Sequence, residues 1–383
     1  MSGDHQYNLK GKSLSELEEL FAQLGQPKFR AKQAFRRINL HLATSLDEFS
    51  EFPKSLREQL LELDAMPVMP VRHRSLEGAR AAKTAQHTKH TGDGESDDAA
   101  NEAANLGGTE KFLFDVGGDP RRGKTEAAKS IEAVWIVSPR RRTICISSQA
   151  GCTLNCSFCA TGTLPFLGNL PAWQIVEQVY ELIRIRGERN SNVVFMGMGE
   201  PFHNYENVIK AARILHHPEG LNIGARHITI STAGVIPSIE RFITNREPFN
   251  LAISLNHSDP AGRADIMDVD KKYPLDKLIQ AARAYTRALD RRITFEYVMI
   301  PGVNMSDDNL RRLIKIGRSV RCKINLIPLN TTLQGWRRPT ADEAHRFQGA
   351  LLEAGLTVFN RGSPGKDING ACGMLALQTG VAS

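Results

Sequence analysis

The sequence predicts an α/β fold in which six strand–helix repeats build a parallel, barrel-like sheet behind a small helical amino-terminal domain. Three observations carry this prediction. Six short β-branched runs between Thr143 and Ile327 alternate with amphipathic helical stretches, and strands joined through helices pair in parallel. The first 65 residues instead repeat apolar side chains at helical spacing. Small, polar and glycine-rich residues follow each of the six runs, at the end of a parallel barrel where chemistry is placed.

Taken in order, Ser13 and Glu16 form a capping box before Leu14, Leu17, Leu20, Phe21 and Leu24, and Gly25 and Pro27 stop that helix. A second helix is expected over 29–42, with Arg30, Lys32, Arg36 and Arg37 on a basic face, and a third over 53–63. Residues 1–66 thus read as a helical accessory domain whose basic face suits an RNA contact. Residues 67–141 read as an extended β linker region. Within it, 78–108 hold too little apolar surface to offset the entropy of ordering and are expected to be a disordered insertion, where His87 and His90 are incidental. Residues 142–383 form the barrel. Its strands are expected at 143–148, 192–196, 227–231, 250–255, 292–299 and 323–327, with helices at 172–186, 205–215, 275–289 and 307–318. A last helix, 341–354, leads to a short strand at 357–359.

Composition narrows the class. Hydrophobic residues make up 41% and charged residues 24%, a globular balance. There is no basic leader followed by an apolar run, and no stretch approaches the length of a membrane span, so a cytoplasmic location is expected. A monomer is expected too, although nothing in the sequence decides the oligomeric state. Six cysteines in that compartment point to ligation or catalysis rather than to a disulfide framework. The net charge of +7 and the arginine pairs at 36–37, 121–122, 140–142, 291–292, 311–312 and 337–338 favour a polyanionic partner.

The chemistry centres on Cys152, Cys156 and Cys159. Their CxxxCxxC spacing lets one loop aim three thiolates at one inorganic centre. Thiolates usually hold all four irons of a cubane, so three leave one iron open to a small molecule. A structural zinc site is the alternative, but it favours a second CxxC pair, which is missing here. The following strand ends carry Gly197-Met-Gly-Glu-Pro201, Ser231-Thr-Ala-Gly234, Ser254-Leu-Asn-His257, Ile300-Pro-Gly302 and Pro328-Leu-Asn330. Turn chemistry explains the glycines and prolines, and less readily why Glu200, Ser231, Ser254, Asn256 and Asn330 share one rim.

Together these motifs resemble the radical S-adenosylmethionine (SAM) superfamily. More narrowly, Cys145-Ile-Ser-Ser-Gln-Ala-Gly-Cys152 and Asp367-Ile-Asn-Gly-Ala-Cys-Gly373 resemble its dual-specificity RNA methyltransferases, which act at carbon-2 of adenosine in 23S rRNA and tRNA. The resemblance runs from Arg142 to the carboxyl end, more loosely through the helical domain. It implies a partial (β/α)6 TIM-like barrel holding a 4Fe–4S cluster on Cys152, Cys156 and Cys159. It further implies SAM, used twice per turnover, held by Gly199, Glu200, Ser231, Ser254, Leu255, Asn256 and Asn330, with the Glu200 carboxylate on the methionine amino group. In the family's scheme Cys372 takes a methyl group from one SAM, and a radical derived from a second removes hydrogen from it. The resulting methylene adds to the base, and Cys145 resolves the adduct through a transient disulfide. Glu132 matches the position of the proton acceptor, although a glutamate leading a strand is commonly only solvent-facing. An electron donor such as flavodoxin or ferredoxin is implied, and Cys322 reads as structural.

Some residues depart from the family pattern: Met374 replaces a glutamine, Asn256 a histidine, and Ile266-Met-Asp-Val-Asp270 the usual Leu-Met-Pro-Ile-Asn. The rival readings are a carbon-8 adenine methyltransferase of 23S rRNA, which shares these cysteines, a non-catalytic zinc and RNA-binding protein, and a radical enzyme acting on protein or small molecules.

Overall fold

A computed structural model describes residues 6–77, 108–117, 129–139, 141–331, 333–362 and 368–375. The expected insertion lies outside the described residues, apart from Gly108, as do His87, His90, the 121–122 arginine pair and Arg140.

The amino-terminal helices are α1 (Leu14–Gln23), α2 (Phe29–Asn39) and α3 (Lys54–Glu62). The capping box forms as expected, with the Ser13 hydroxyl accepting from the Glu16 amide and the Glu16 carboxylate accepting from the Ser13 amide. Leu17, Phe21, Phe35, Ile38 and Leu60 are buried in the same apolar core as the barrel. Docking is also polar: Lys10 Nζ donates to Glu177 at 2.9 Å with both side chains almost fully buried, and the Tyr180 hydroxyl donates to Asn39 at 2.6 Å.

Among the described residues ten strands form one sheet. Strands β1 (Val71–Leu76), β2 (Glu110–Asp115), β3 (Ser130–Ser138) and β4 (Arg141–Cys145) run antiparallel. The extended residues between 67 and 141 therefore prolong the barrel sheet rather than standing apart from it. From β4 onward the sheet is parallel through β7 (Asn192–Phe195), β8 (Ile228–Thr232), β9 (Asn250–Ser254), β10 (Ile293–Met299), β11 (Cys322–Pro328) and β12 (Val358–Asn360). The crossovers are α4 (Ala172–Arg186), α5 (Tyr205–His216), α6 (Ile236–Thr244), the short α7 (Pro260–Ile266) and α8 (Val269–Lys272) followed by α9 (Leu275–Leu289), then α10 (Asp307–Ser319) and α11 (Ala341–Glu353). β12 ends the sheet without pairing to β4, so the barrel has an open seam between them. Two residues each from β5 (Gln149–Ala150) and β6 (Gly168–Asn169) pair separately. Among the described residues no helix is long and apolar enough to cross a membrane.

Most expected elements appear within two residues of their bounds. β4 stops at Cys145 rather than at 148. There the Ser147 hydroxyl donates to the Glu132 carbonyl at 2.5 Å and accepts the Met198 amide at 2.8 Å, so a side chain replaces ladder bonds.

Candidate active site

The cysteine loop leaves the carboxyl end of the first barrel strand and folds back on itself. Gly151 makes this possible: its φ is +77°, and a Cβ there would lie 2.0 Å from the Pro165 carbonyl oxygen. β5 and β6 close the loop's base, while Leu154 and Phe158 pack on Ala233, Ile266, Met267 and Val269. Within the loop the Cys159 amide donates to the Cys156 carbonyl at 3.0 Å.

Cys152, Cys156 and Cys159 line one cavity together with Gly199, Glu200, Ser231, Ser254, Asn256, Asn330 and Cys372. Burial pushes the Cys152 thiol up to about 12. Burial and the neighbouring Cys159 and Cys152 push Cys156 well above the ordinary thiol range. Such crowded thiols suit an iron centre, whose positive charge offsets the cost of ionising them. Among the described residues no three His, Cys, Asp or Glu side chains converge closely enough to hold a single metal ion.

Two expected cofactor contacts are built differently. The Glu200 carboxylate is turned into the rim: it accepts from the Phe202 amide at 2.9 Å, the Thr232 hydroxyl at 2.7 Å and the Ala233 amide at 2.8 Å. Burial raises its pKa, and these donors oppose the rise. It ties the end of β7 to that of β8 while also lining the cavity. Leu255 does not line the cavity; its amide donates to the Glu296 carbonyl and its carbonyl accepts from Arg263 Nε, both at 2.9 Å. Asn256 sits at φ +55°, a conformation that Asn tolerates better than most residues, and its side-chain oxygen accepts the Val298 amide at 3.0 Å. Gly199, at φ +96°, lets this rim pass against Gln149, where a Cβ would approach to 2.5 Å.

Sequence reasoning missed two residues of this site. Arg263 is fully buried and clamps the strand ends, donating to the Ala233 carbonyl at 2.6 Å and the Ser254 carbonyl at 3.1 Å, and it pairs with Asp270. The unusual Asp270 thus supplies the carboxylate this guanidinium needs. Glu296, on β10, lines the cavity. One of its oxygens accepts from Ser231 at 3.1 Å, and the other is buried without a hydrogen bond, 3.8 Å from Arg361. A charged residue inside the apolar run Ile293–Met299 was the available signal.

A larger cavity of about 670 Å³ occupies the seam and holds Cys145, Arg141 and Arg361. Cys159, Asn330, Cys372 and Gly373 line both cavities, so Cys372 stands on their common wall. Its strand-free segment is strapped to the cysteine loop: the Ala160 amide donates to the Gly373 carbonyl at 2.8 Å, and Asn330 donates to the Cys372 carbonyl at 3.1 Å. Cys372 is exposed only in the sense that it faces this void. Its deep setting and Glu296 push its pKa up, opposed by Arg361. Burial and Cys372 raise Cys145 likewise.

Glu132 is not solvent-facing. It is buried on β3 and pairs with Lys111 Nζ at 2.7 Å, the lysine itself being buried. Nor is the α2 face freely basic: Arg36 and Lys32 pair with Glu219, and Arg37 with Glu51.

The profile of the radical SAM superfamily matches residues 146–314, and that of the ribosomal RNA large subunit methyltransferase N-terminal domain matches residues 7–65. A Leptospira interrogans protein named as a probable dual-specificity RNA methyltransferase RlmN is 49% identical over 373 residues, covering 97% of this chain and 96% of its own. The chain belongs to the RlmN family. A dual-specificity RNA methyltransferase RlmN of Syntrophotalea carbinolica is 37% identical over 377 residues, covering 98% and 91% of the two chains. The crystal structure of a radical SAM methyltransferase from Sphaerobacter thermophilus superposes with a TM-score of 0.81 at 36% identity, covering 97% of this chain and 98% of that one. This RlmN-family enzyme is an RNA methyltransferase whose superfamily uses SAM and a 4Fe–4S cluster. The non-catalytic zinc reading is thereby set aside.

Proposed function

We propose that the enzyme methylates carbon-2 of adenosine in 23S rRNA and tRNA, with Cys372 carrying the methyl group between two cavities. The observation that carries this reading is the position of Cys372 on the wall common to the cysteine-loop cavity and the seam cavity. A thiol there can meet a methyl donor on one side and a base on the other. Cys152, Cys156 and Cys159 are read as the cluster ligands, and Gly199, Glu200, Ser231, Ser254, Asn256 and Asn330 as the walls of the SAM pocket. When bound, the cluster and SAM supply one-electron chemistry that generates a carbon radical, which carbon-2, lacking an acidic proton, requires.

Cys145 is assigned as the partner thiol that releases the product, since it lines the seam cavity with Cys372. Its raised pKa means that a proton must leave before it attacks. Glu132 is assigned to holding β2 against β3 through Lys111 rather than to proton transfer in the resting structure. Two SAM molecules per turnover and a one-electron donor such as flavodoxin or ferredoxin complete the proposal.

The test is nucleoside mass spectrometry of 23S rRNA and tRNA fragments after reaction of the reconstituted enzyme with SAM and reductant. The expected product is 2-methyladenosine, with one S-adenosylhomocysteine and one 5′-deoxyadenosine per methyl group added. Recovery of 8-methyladenosine instead would overturn the carbon-2 assignment. Cys372→Ala should abolish product while retaining iron and SAM binding.

A further inference from the structure

Four cations around the seam lack the close acids that several of the chain's other described arginines have. Elsewhere, Arg36 pairs with Glu219, Arg37 with Glu51, Arg312 with Asp259 and Arg337 with Glu343. Arg141, Arg292 and Lys323 make no ion pair with any described carboxylate. Arg361 has only Glu296, at 3.8 Å. Arg141 and Arg361 line the cavity that also holds Cys145 and Cys372.

Register brings Lys323 to the same place. β10 and β11 pair in parallel with Glu296 opposite Asn325 and Thr294 opposite Lys323, and Arg292 immediately precedes β10, two residues before Thr294. Glu296 faces the barrel interior, and side chains alternate along a strand, so Lys323 faces inward too. Its pKa is pushed down by burial and then by Arg361, Arg141 and Arg292, with Glu296 opposing. Like charges held this close repel one another, and a polyanion removes that cost.

We propose that Arg141, Arg292, Lys323 and Arg361 seat the RNA phosphates that flank the target adenosine while its base enters the seam cavity beside Cys372. The inference rests on the reading of the enzyme as an RNA methyltransferase. The four cations come from the starts of β4 and β11 and from residues flanking β10 and β12. That spread suits an extended backbone rather than a single phosphate. A base must leave its stack to reach an enclosed thiol, and contacts to the flanking phosphates hold the backbone as it does so without reading sequence.

The experiment is fluorescence anisotropy of the reconstituted holoenzyme with a fluorescein-labelled RNA hairpin bearing a loop adenosine, across a potassium chloride series. Arg141→Ala, Arg292→Ala and Lys323→Ala should each weaken binding and reduce the steepness of log K against log salt by about 0.7–1. Lys323→Arg should restore the wild-type slope, separating lost charge from local misfolding, and SAM binding should not change in any of them. Arg36→Ala on α2 should leave the slope intact. Wild-type affinity and slope in all three alanine variants, with the wild type itself binding in a salt-dependent way, would overturn this inference alone. A wild type showing no salt-dependent RNA binding would overturn the RNA reading as well.

Discussion

The two cavities that share Cys372 differ in how their polar groups are partnered. On the cysteine-loop side most are satisfied internally: Glu200 by three donors, Asn256 by the Val298 amide, and Arg263 by strand-end carbonyls and Asp270. On the seam side, Arg141 and Lys323 have no ion pair with a described carboxylate, and Arg361 approaches only Glu296. Buried polar groups that satisfy one another hold a shape. Charges left unpaired around a void are completed by what enters it. This contrast supports the proposed division, with the first cavity taking a cofactor of fixed geometry and the second a polyanion that brings its own charge.

The largest effect that tests this division is Cys156→Ala. It should remove the iron and its absorbance and abolish methylation, yet leave RNA binding and its salt slope unchanged. Loss of RNA binding as well would show that the cavities are not separable. On the same side, because burial pushes the Cys152 thiol up to about 12 and, with the neighbouring thiols, pushes Cys156 well above the ordinary thiol range, cluster loading must release protons. Iron uptake by the apoprotein should become tighter as pH rises from about 6 to 8.

Next in size is Arg263→Met, which leaves Asp270 buried without its partner. Breaking a buried pair costs about 3–5 kcal/mol, so a markedly lower denaturant midpoint is expected, together with weaker SAM binding. Normal stability would mean that the rim does not depend on this clamp.

A smaller effect is expected for Glu200→Gln. Burial raises the folded pKa of Glu200 above its ordinary 4.5. The native state then binds the proton more tightly than the unfolded chain, so stability from this group is full below 4.5 and declines as pH rises through the folded value. The glutamine variant should lose that decline in denaturant titrations across the acid range. An unchanged pH profile would place the linkage on another group.

The smallest effect belongs to Arg36→Ala. Its pair with Glu219 is solvent-screened, and such surface pairs contribute little to stability. Little change in melting temperature or RNA affinity is expected, whereas a large loss of RNA binding would move the phosphate contacts from the seam to the helical domain.

Much of this protein was legible before any coordinates because the signals are local. The cysteine loop needs only nine consecutive residues, Ser13 and Glu16 cap their helix within one turn, and the strand ends announce themselves through glycine and serine. The basic face of α2 was read correctly as composition and misleadingly as free charge, because Glu219 and Glu51 reach it from elsewhere in the chain. Glu132, which the resemblance matches to a proton acceptor, gave no sequence signal of its buried partner, because only the register of β2 and β3 places Lys111 beside it.

The sequence by itself determined which groups were available: three thiols in one loop, two more far apart, a polar rim and an excess of cations. Tertiary structure alone decided which of them meet. Cys372 reaches the wall between the cavities only because the Ala160 amide and Asn330 hold its segment against the cysteine loop. Lys323 joins Arg141 and Arg361 only because parallel pairing sets its side chain inward. The reason is physical: spacing along a chain fixes the face of a helix or strand, whereas charge balance and burial depend on register between segments far apart in sequence.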